Sequence, residues 1–459
     1  MSVHILLGNQ ISISRGGLPS GAESYIKKGL TLKNTKFEQI EKYSRWNYNA
    51  EPEFLTYYQE KDGSLLLPRG YMARLIGCLE YNSLDYQIHD ETLKLREVDL
   101  SFTGSLHPFQ SIAVNAVLSR RYGVLESPTG SGKTVMALNI ISQRKQPALV
   151  VVHTKELLYQ WRDRATHFLA LDADEIGLIG DGHKRIGERL TIGIINSLYR
   201  IIAEVSPFIG HVIVDECHHT PARTFSDVVG GLPAFYLLGL TATPYRRDRL
   251  TRVIYFHMGD RIHQISPAEL QAENRIMQAR LEVRHTDFDY PNASDDYQGM
   301  LTALVKDRAR NSQIVRDVIN QILTGKGIAL IISDRVSHCR ELYDNIAARG
   351  IAARLLTGKT PAKERAAIVE DLHQGKAQAL VSTAQLIGEG FDLKDMSSIF
   401  MTTPVRFTGR VKQYIGRVLR VAEGKIESVI YDYVDRAGLL QHTFKSRLAA
   451  YTDMGVSLQ

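Results

Sequence analysis

Apolar residues come in short runs along this chain, and the sequence that follows each run divides it into regions. Up to residue 98 the runs alternate with turn signals such as Lys61-Asp62-Gly63 and Pro68-Arg69-Gly70, which predicts a small separate α+β domain over 1–98. Its opening, MSVHILLGNQ, has neither a basic leader nor a small-residue cleavage site and reads as a first strand. After Pro108 each strand-like run gives way to helical sequence: Ala148 to Val152, Ile192 to Ile195, Val212 to Val214 and Phe235 to Leu240. Runs this apolar suit strands buried on both faces, so a parallel sheet covered by helices is expected over 99–284. Periodicity lapses in RHTDFDYPNASDDYQGM, Arg284 to Met300, and a linker is expected at 285–300. The alternation returns through Ile328 to Ile332, Ala352 to Leu356, Ala379 to Val381, Ile399 to Thr402 and Val429 to Tyr431, which predicts a second α/β lobe over 301–459.

Composition narrows the class. At 459 residues the chain is long enough for two or three domains with their own cores. With 44% hydrophobic and 23% charged residues, and no apolar stretch long enough to span a bilayer, a membrane role is not expected. The three cysteines, Cys78, Cys217 and Cys339, are dispersed and form no CxxC pair, so neither a disulfide framework nor a structural metal is expected, and a reducing cytoplasm fits. A formal charge of +6 permits a polyanionic partner without requiring one.

The segment Tyr122 to Val135, YGVLESPTGSGKTV, runs from an apolar strand through a glycine-containing loop into a helix. Gly130 and Gly132 can adopt positive φ, letting the backbone N–H groups of Thr129, Gly130, Ser131 and Gly132 converge on phosphate oxygens at a helix N-terminus. Lys133 then supplies a charge for the β and γ phosphates, and the Thr134 hydroxyl suits Mg²⁺. Ser127 stands where the GxxxxGK[ST] string has its first glycine, so the assignment rests on GSGKT and its strand–loop–helix setting. Further on, HVIVDECHH ends a buried strand in two adjacent carboxylates. Strand alternation would point them apart, giving Asp215 to Mg²⁺ and Glu216 to the proton of an attacking water. His218 and His219 are adjacent, which does not suit a shared metal, and a role in relaying nucleotide state is expected.

In this order the residues resemble the superfamily 2 helicases and translocases over Leu106 to Asp432. SPTGSGKT is similar to motif I, DECH to motif II, Thr241-Ala242-Thr243 to motif III, STAQLIGEGFD to motif V and QYIGRVLR to motif VI. The resemblance implies two tandem RecA-like P-loop lobes that use ATP and Mg²⁺. It further implies that Arg417 and Arg420, three apart on one helix face, act as arginine fingers. It gives Gln110 to adenine, and Gly390, Asp392 and Gln413 to the nucleotide; His107 stands where relatives often carry arginine. Thr154 and Lys155 resemble motif Ia, and Asn196 with Ser197 resembles motif Ib. These, with Ser333, Thr357, Gly358 and Thr383, would touch the nucleic-acid backbone, positioning a strand without reading its sequence. Trp161 is expected to be a core anchor and not a base platform.

Within the superfamily, DECHH, GLTATPYRRD and QYIGRVLR are similar to the XPB-like and phage UvsW-like DNA helicases. XPB proteins carry Arg-Glu-Asp after motif III; here Arg246, Arg247 and Asp248 replace its acid with arginine, and the element is expected to persist as a duplex-opening or backbone-binding loop in which Arg246 contacts nucleic acid. The chain ends soon after motif VI, which is expected to disfavour the RNA helicases with long C-terminal domains. In the N-terminal region Lys27, Lys28, Lys33, Lys36, Lys42 and Arg45 are interleaved with Phe37, Tyr43, Trp46 and Tyr48, which suits either nucleic acid or an aromatic core with a basic face. The expected function is an ATP-dependent helicase or translocase on duplex, forked or branched DNA. The alternatives are a motor subunit that remodels its protein partners in a repair or phage-defence complex, and an RNA helicase.

Overall fold

The structure, a computed structural model, describes residues 2–34, 37, 52–218, 222–242, 251–291, 296–325, 327–388, 395–405, 408–422, 425 and 427–458. Contacts divide the chain into two compact units, residues 1–127 with 132–265, and residues 128–131 with 266–459.

The first unit opens with β1 (Val3–Leu7), β2 (Gln10–Ser14), β3 (Thr31–Lys33), β4 (Phe54–Thr56), β5 (Gln59–Lys61), β6 (Ser64–Pro68) and β7 (Tyr86–Asp90). Five of these form a sheet in the order β5-β6-β2-β1-β7, whose alternate residues Val3, Ile5 and Leu7 are buried under the helices Ser20–Gly29 and Met72–Tyr81. The core it makes is not self-contained. Phe256, from the helix Thr251–Met258, lies in the same cluster, edge-on to Tyr71. Arg69 Nη1 donates to the Ala234 carbonyl at 2.6 Å, Asn9 Nδ2 to Gly230 O at 2.6 Å, and Leu93 pairs with Ala234. Region 1–98 thus shares contacts with the first lobe and falls in one unit with it, where the hydrophobic pattern predicts a separate domain. Gly70 marks the tightest approach: a Cβ there would stand 2.3 Å from Gly259 N and 2.6 Å from Tyr255 O. Backbone cannot yield as a flexible side chain can, so Gly70→Ala is expected to lower stability by about 1–3 kcal/mol. Urea unfolding measures it, and an unchanged midpoint would contradict the packing described.

The first lobe continues with β8 (Tyr122–Glu126), β9 (Ala148–Val152), β10 (Gly177–Gly180), β11 (His183–Lys184), β12 (Leu190–Ile194), β13 (His211–Val214), β14 (Tyr236–Thr241) and β15 (Arg261–Gln264). They form one sheet in the order β11-β10-β12-β9-β13-β14-β8-β15, parallel except for the β10–β11 hairpin. Every residue of β9 and β13 is buried, as their unbroken apolar runs require.

The second unit carries β16 (Ala279–His285), β17 (Ile328–Ser333), β18 (Ala353–Leu356), β19 (Ala379–Thr383), β20 (Met396–Met401), β21 (Ser428–Val434) and β22 (Ser457–Leu458). Their order is β18-β19-β17-β20-β21-β16-β22, and all the pairs are parallel. The boundary therefore falls earlier than the hydrophobic pattern suggests. β16, inside the expected 99–284 lobe, pairs with β21 along its full length, from Ala279 with Ser428 to His285 with Val434. Part of the expected 285–300 linker is also packed, with Phe288 and Met300 in a small core beside Leu304 and Leu440. The chain is α/β, two parallel-sheet RecA-like lobes, with a small N-terminal α+β region whose sheet pairs mainly antiparallel. All three cysteines are buried, and among the described residues no helix is long and apolar enough to cross a membrane and no group of three or more His, Cys, Asp or Glu could hold a metal.

Candidate nucleotide and nucleic-acid site

Ligands of open parallel sheets bind beyond the carboxyl ends of the strands. In the first lobe the central neighbours β13-β14-β8 end in Val214, Thr241 and Glu126. The residues that follow these ends are the acidic pair, Ala242 and the phosphate loop.

After β8, Ser127 N donates to Thr241 O at 2.9 Å, tying the start of the loop to β14. Gly130 and Gly132 have φ of +90° and +82°, the left-handed conformation that the loop requires. Gly132 caps the helix Lys133–Arg144, so Lys133 and Thr134 stand in its first turn, at the positive end of the helix dipole. Lys133 Nζ donates to Ser127 O at 3.1 Å and lies 3.6 Å from Glu216 Oε1. Ser131 Oγ donates to Pro128 O at 2.7 Å, a bond local to the loop tip that also holds Thr129. Gln110 is buried, its Oε1 accepting from His107 N at 2.9 Å in a capping box. A Cβ on Gly132 would fall 2.4 Å from Gln110 Nε2. The amide therefore lies close against the loop at Gly132.

The acidic pair is separated by a different device from the one expected. β13 stops at Val214, and Asp215 to His218 form a turn in which Glu216 has φ of +45°. The turn, not strand alternation, parts the two carboxylates. Asp215 N donates to Val151 O and Cys217 N to Leu240 O, locking the turn between β9 and β14. Asp215 Oδ1 accepts from Glu216 N at 3.0 Å, and Oδ2 accepts from the Trp161 indole at 2.7 Å. Burial, reinforced by the neighbouring Glu216 charge, raises the Asp215 carboxyl above its ordinary range, while the Trp161 N–H and Lys133 pull it back. Glu216 Oε2 lies 3.4 Å from His218 Nδ1, which is 2.8 Å from Thr241 Oγ1. His218 thus joins the acidic turn to the end of β14. Asp215 and Thr134 offer hard oxygens, a donor set that fits Mg²⁺ completed by water and nucleotide phosphates.

The strands on the other side of β13 carry the residues expected at the nucleic-acid backbone. Thr154, after β9, caps the helix Lys155–Leu169, its Oγ1 accepting from Leu157 N at 3.3 Å, and Lys155 is exposed with Asp181 3.9 Å away. Asn196, after β12, is exposed in the first turn of the helix Ile195–Val205, with Ser197 half-buried beside it. Arg246, Arg247, Asp248 and His219 lie outside the described residues, as do Gly390 and Asp392.

In the second lobe, Thr357 follows β18 and Thr383 ends β19, Gly358 being exposed and Thr383 half-buried. Ser333 departs from expectation. It is fully buried, its hydroxyl 3.0 Å from His338 Nδ1 and accepting from Arg335 N at 3.1 Å, because it anchors the turn after β17. The Ser333 side chain is therefore not presented at the surface. Gln413 and Arg417 lie on the helix Thr408–Val418, but Arg420 lies beyond its end, paired with Ile276. The expected shared helix face is thus interrupted, for a visible reason. Lys425 Nζ donates to the carbonyls of Val418 and Arg420, and Ser428 Oγ donates to Val418 O at 2.8 Å, closing off the helix. Burial lowers the Lys425 ammonium to about 8. Sequence reasoning missed both Lys425 and the Trp161 contact; a basic residue just past a helix end was the available signal for the first.

Known proteins resemble this chain over both lobes. Residues 103–246 match the family described as type III restriction enzyme, res subunit, and residues 313–422 match the helicase conserved C-terminal domain. Probable helicase D10 of Escherichia phage T5 is 25% identical over 337 residues, covering 72% of this chain and 72% of the phage protein. The DNA 3'-5' translocase XPB2 of Sulfurisphaera tokodaii is 26% identical over 353 residues, covering 69% of this chain and 78% of the relative. Among solved structures, S. cerevisiae Dbp5 bound to RNA and ADP BeF3 has the same fold at a TM-score of 0.55 and 15% identity, covering 78% of this chain and 90% of that one. On these matches the chain is similar over both lobes to the superfamily 2 helicases, enzymes that hydrolyse ATP.

Proposed function

We propose that this helicase is an ATP- and Mg²⁺-dependent DNA motor that unwinds or translocates on duplex, forked or branched DNA. The observation that carries the hydrolytic part is the convergence of Lys133, Asp215 and Glu216 beyond the ends of β8 and β13, the parallel strands on either side of β14, with Lys133 Nζ 3.6 Å from Glu216. Thr129 to Gly132 cradle the phosphates with backbone N–H groups, Lys133 neutralises their outer oxygens, and Thr134 and Asp215 hold Mg²⁺. Mg²⁺ held there would supply neutralisation of the phosphate charge. Glu216 takes the proton of the attacking water, and Gln413, Arg417 and Arg420 are assigned to the nucleotide by motif order alone. Thr154, Lys155, Asn196, Ser197, Thr357, Gly358 and Thr383 track a nucleic-acid backbone, and region 1–98 adds recognition of the DNA structure.

DNA is favoured over RNA because the Sulfurisphaera relative is named a DNA translocase and its similarity covers 69% of this chain. One described feature counts against part of the basic and aromatic surface of region 1–98. Lys27 is paired with Glu23 and Glu60, each at 2.6 Å, so its charge is already answered. The test is ATP hydrolysis by the full chain with forked, Holliday-type, blunt and single-stranded DNA and with RNA. Forked or branched DNA is expected to stimulate most; stronger stimulation by RNA would replace DNA with RNA as the track.

A further inference from the structure

We infer that Trp161 is a positioning residue for hydrolysis, its indole N–H fixing the orientation of the Asp215 carboxylate so that the carboxylate can receive Mg²⁺. The inference rests on the reading of Asp215 as the metal-holding acid and adds a residue that the helicase motifs described above leave as core.

The geometry is specific. Trp161 stands on the helix Lys155–Leu169 at 1% exposure, and its Nε1 donates to Asp215 Oδ2 at 2.7 Å across 54 residues of sequence. An indole N–H is a donor only, and when buried it must find an acceptor. Here the acceptor is a carboxylate, which makes the bond charge-assisted and stronger than one to a carbonyl. The Asp215 backbone is already held, its N–H on Val151 O and the next residue but one on Leu240 O, so rotation of the side chain is the freedom that remains. Two donors limit that rotation from opposite oxygens, Glu216 N on Oδ1 and Trp161 on Oδ2. The first belongs to the turn itself and accompanies any residue placed there. The second comes from a separate helix and depends on one ring nitrogen. A metal ligand oriented in this way owes part of its affinity to its outer partner, and losing such a partner typically costs about 10–100-fold. A merely space-filling tryptophan would make a different demand, for ring volume and not for the N–H.

Trp161→Phe keeps most of the ring volume and removes the donor. Binding of a non-hydrolysable ATP analogue to the full chain, titrated calorimetrically with and without Mg²⁺, separates the two roles. Without the metal, Trp161→Phe is expected to bind the analogue as the parent does; with it, half-maximal enhancement is expected to need about tenfold more Mg²⁺. An unaltered Mg²⁺ requirement overturns the inference. Asp215→Asn serves as the reference: if it abolishes the Mg²⁺ effect while Trp161→Phe leaves it intact, the reading of Asp215 stands and only the role of Trp161 is lost. If Asp215→Asn leaves the Mg²⁺ effect unchanged, both are lost. Should Trp161→Phe not fold, the chain's two tryptophans offer a second readout. Trp46→Phe leaves one indole, whose ¹⁵N–H resonance is expected to move when Mg²⁺ joins the bound analogue. A stationary resonance overturns the inference.

Discussion

Lys133→Ala is expected to cut nucleic-acid-stimulated ATP hydrolysis by roughly 10²–10³-fold, the scale on which one preorganised charge contributes to a transition state. The side chain stands in the first turn of its helix and is held by Ser127 O at 3.1 Å, with Glu216 Oε1 at 3.6 Å. Removing it takes away the one positive side chain of the phosphate loop, so both nucleotide affinity and turnover should fall. The fold should survive, because the sheet and the turn after β13 are held by backbone bonds and apolar packing that do not involve Lys133. Steady-state ATPase measured beside a urea unfolding curve checks both halves. Full stimulated hydrolysis in a folded Lys133→Ala protein would remove the assignment of this loop as the phosphate site.

Glu216→Gln should separate binding from chemistry. The amide is nearly isosteric, and its oxygen can still accept from Ala242 N, which lies 3.5 Å from Glu216 Oε2. What it cannot do is take a proton. The expected result is nucleotide affinity close to that of the parent, with single-turnover hydrolysis slowed by roughly 10²–10⁴-fold. Asp215→Asn should behave differently, losing the Mg²⁺ dependence of binding itself. The contrast tests the division of labour that the positive-φ turn creates, since the two acids are adjacent in sequence yet bonded to different partners, Asp215 to Trp161 and Glu216 to Ala242 N and His218. A single-turnover rate unchanged in Glu216→Gln would show that another group is the base.

The sequence by itself determined the parallel-sheet class and the strand–loop–helix setting of GSGKT. Unbroken apolar runs such as ALVVV can hardly be anything but doubly covered strands, and glycines beside GKT can serve a helix N-terminus because the constraint is local. Only the tertiary structure decided matters that depend on residues far apart in the chain. β16 falls within the region expected as the first lobe, yet it takes its place beside β21, contributed some 150 residues later. Region 1–98 looks independent, but its core borrows Phe256. Arg417 and Arg420 look like one helix face until Lys425 and Ser428 close the helix between them. Trp161 read as a core anchor, and buried it is; that its one polar atom falls on Asp215 could not be read from spacing. Local chemistry is written in neighbouring residues, whereas the partner of a buried donor is chosen by packing.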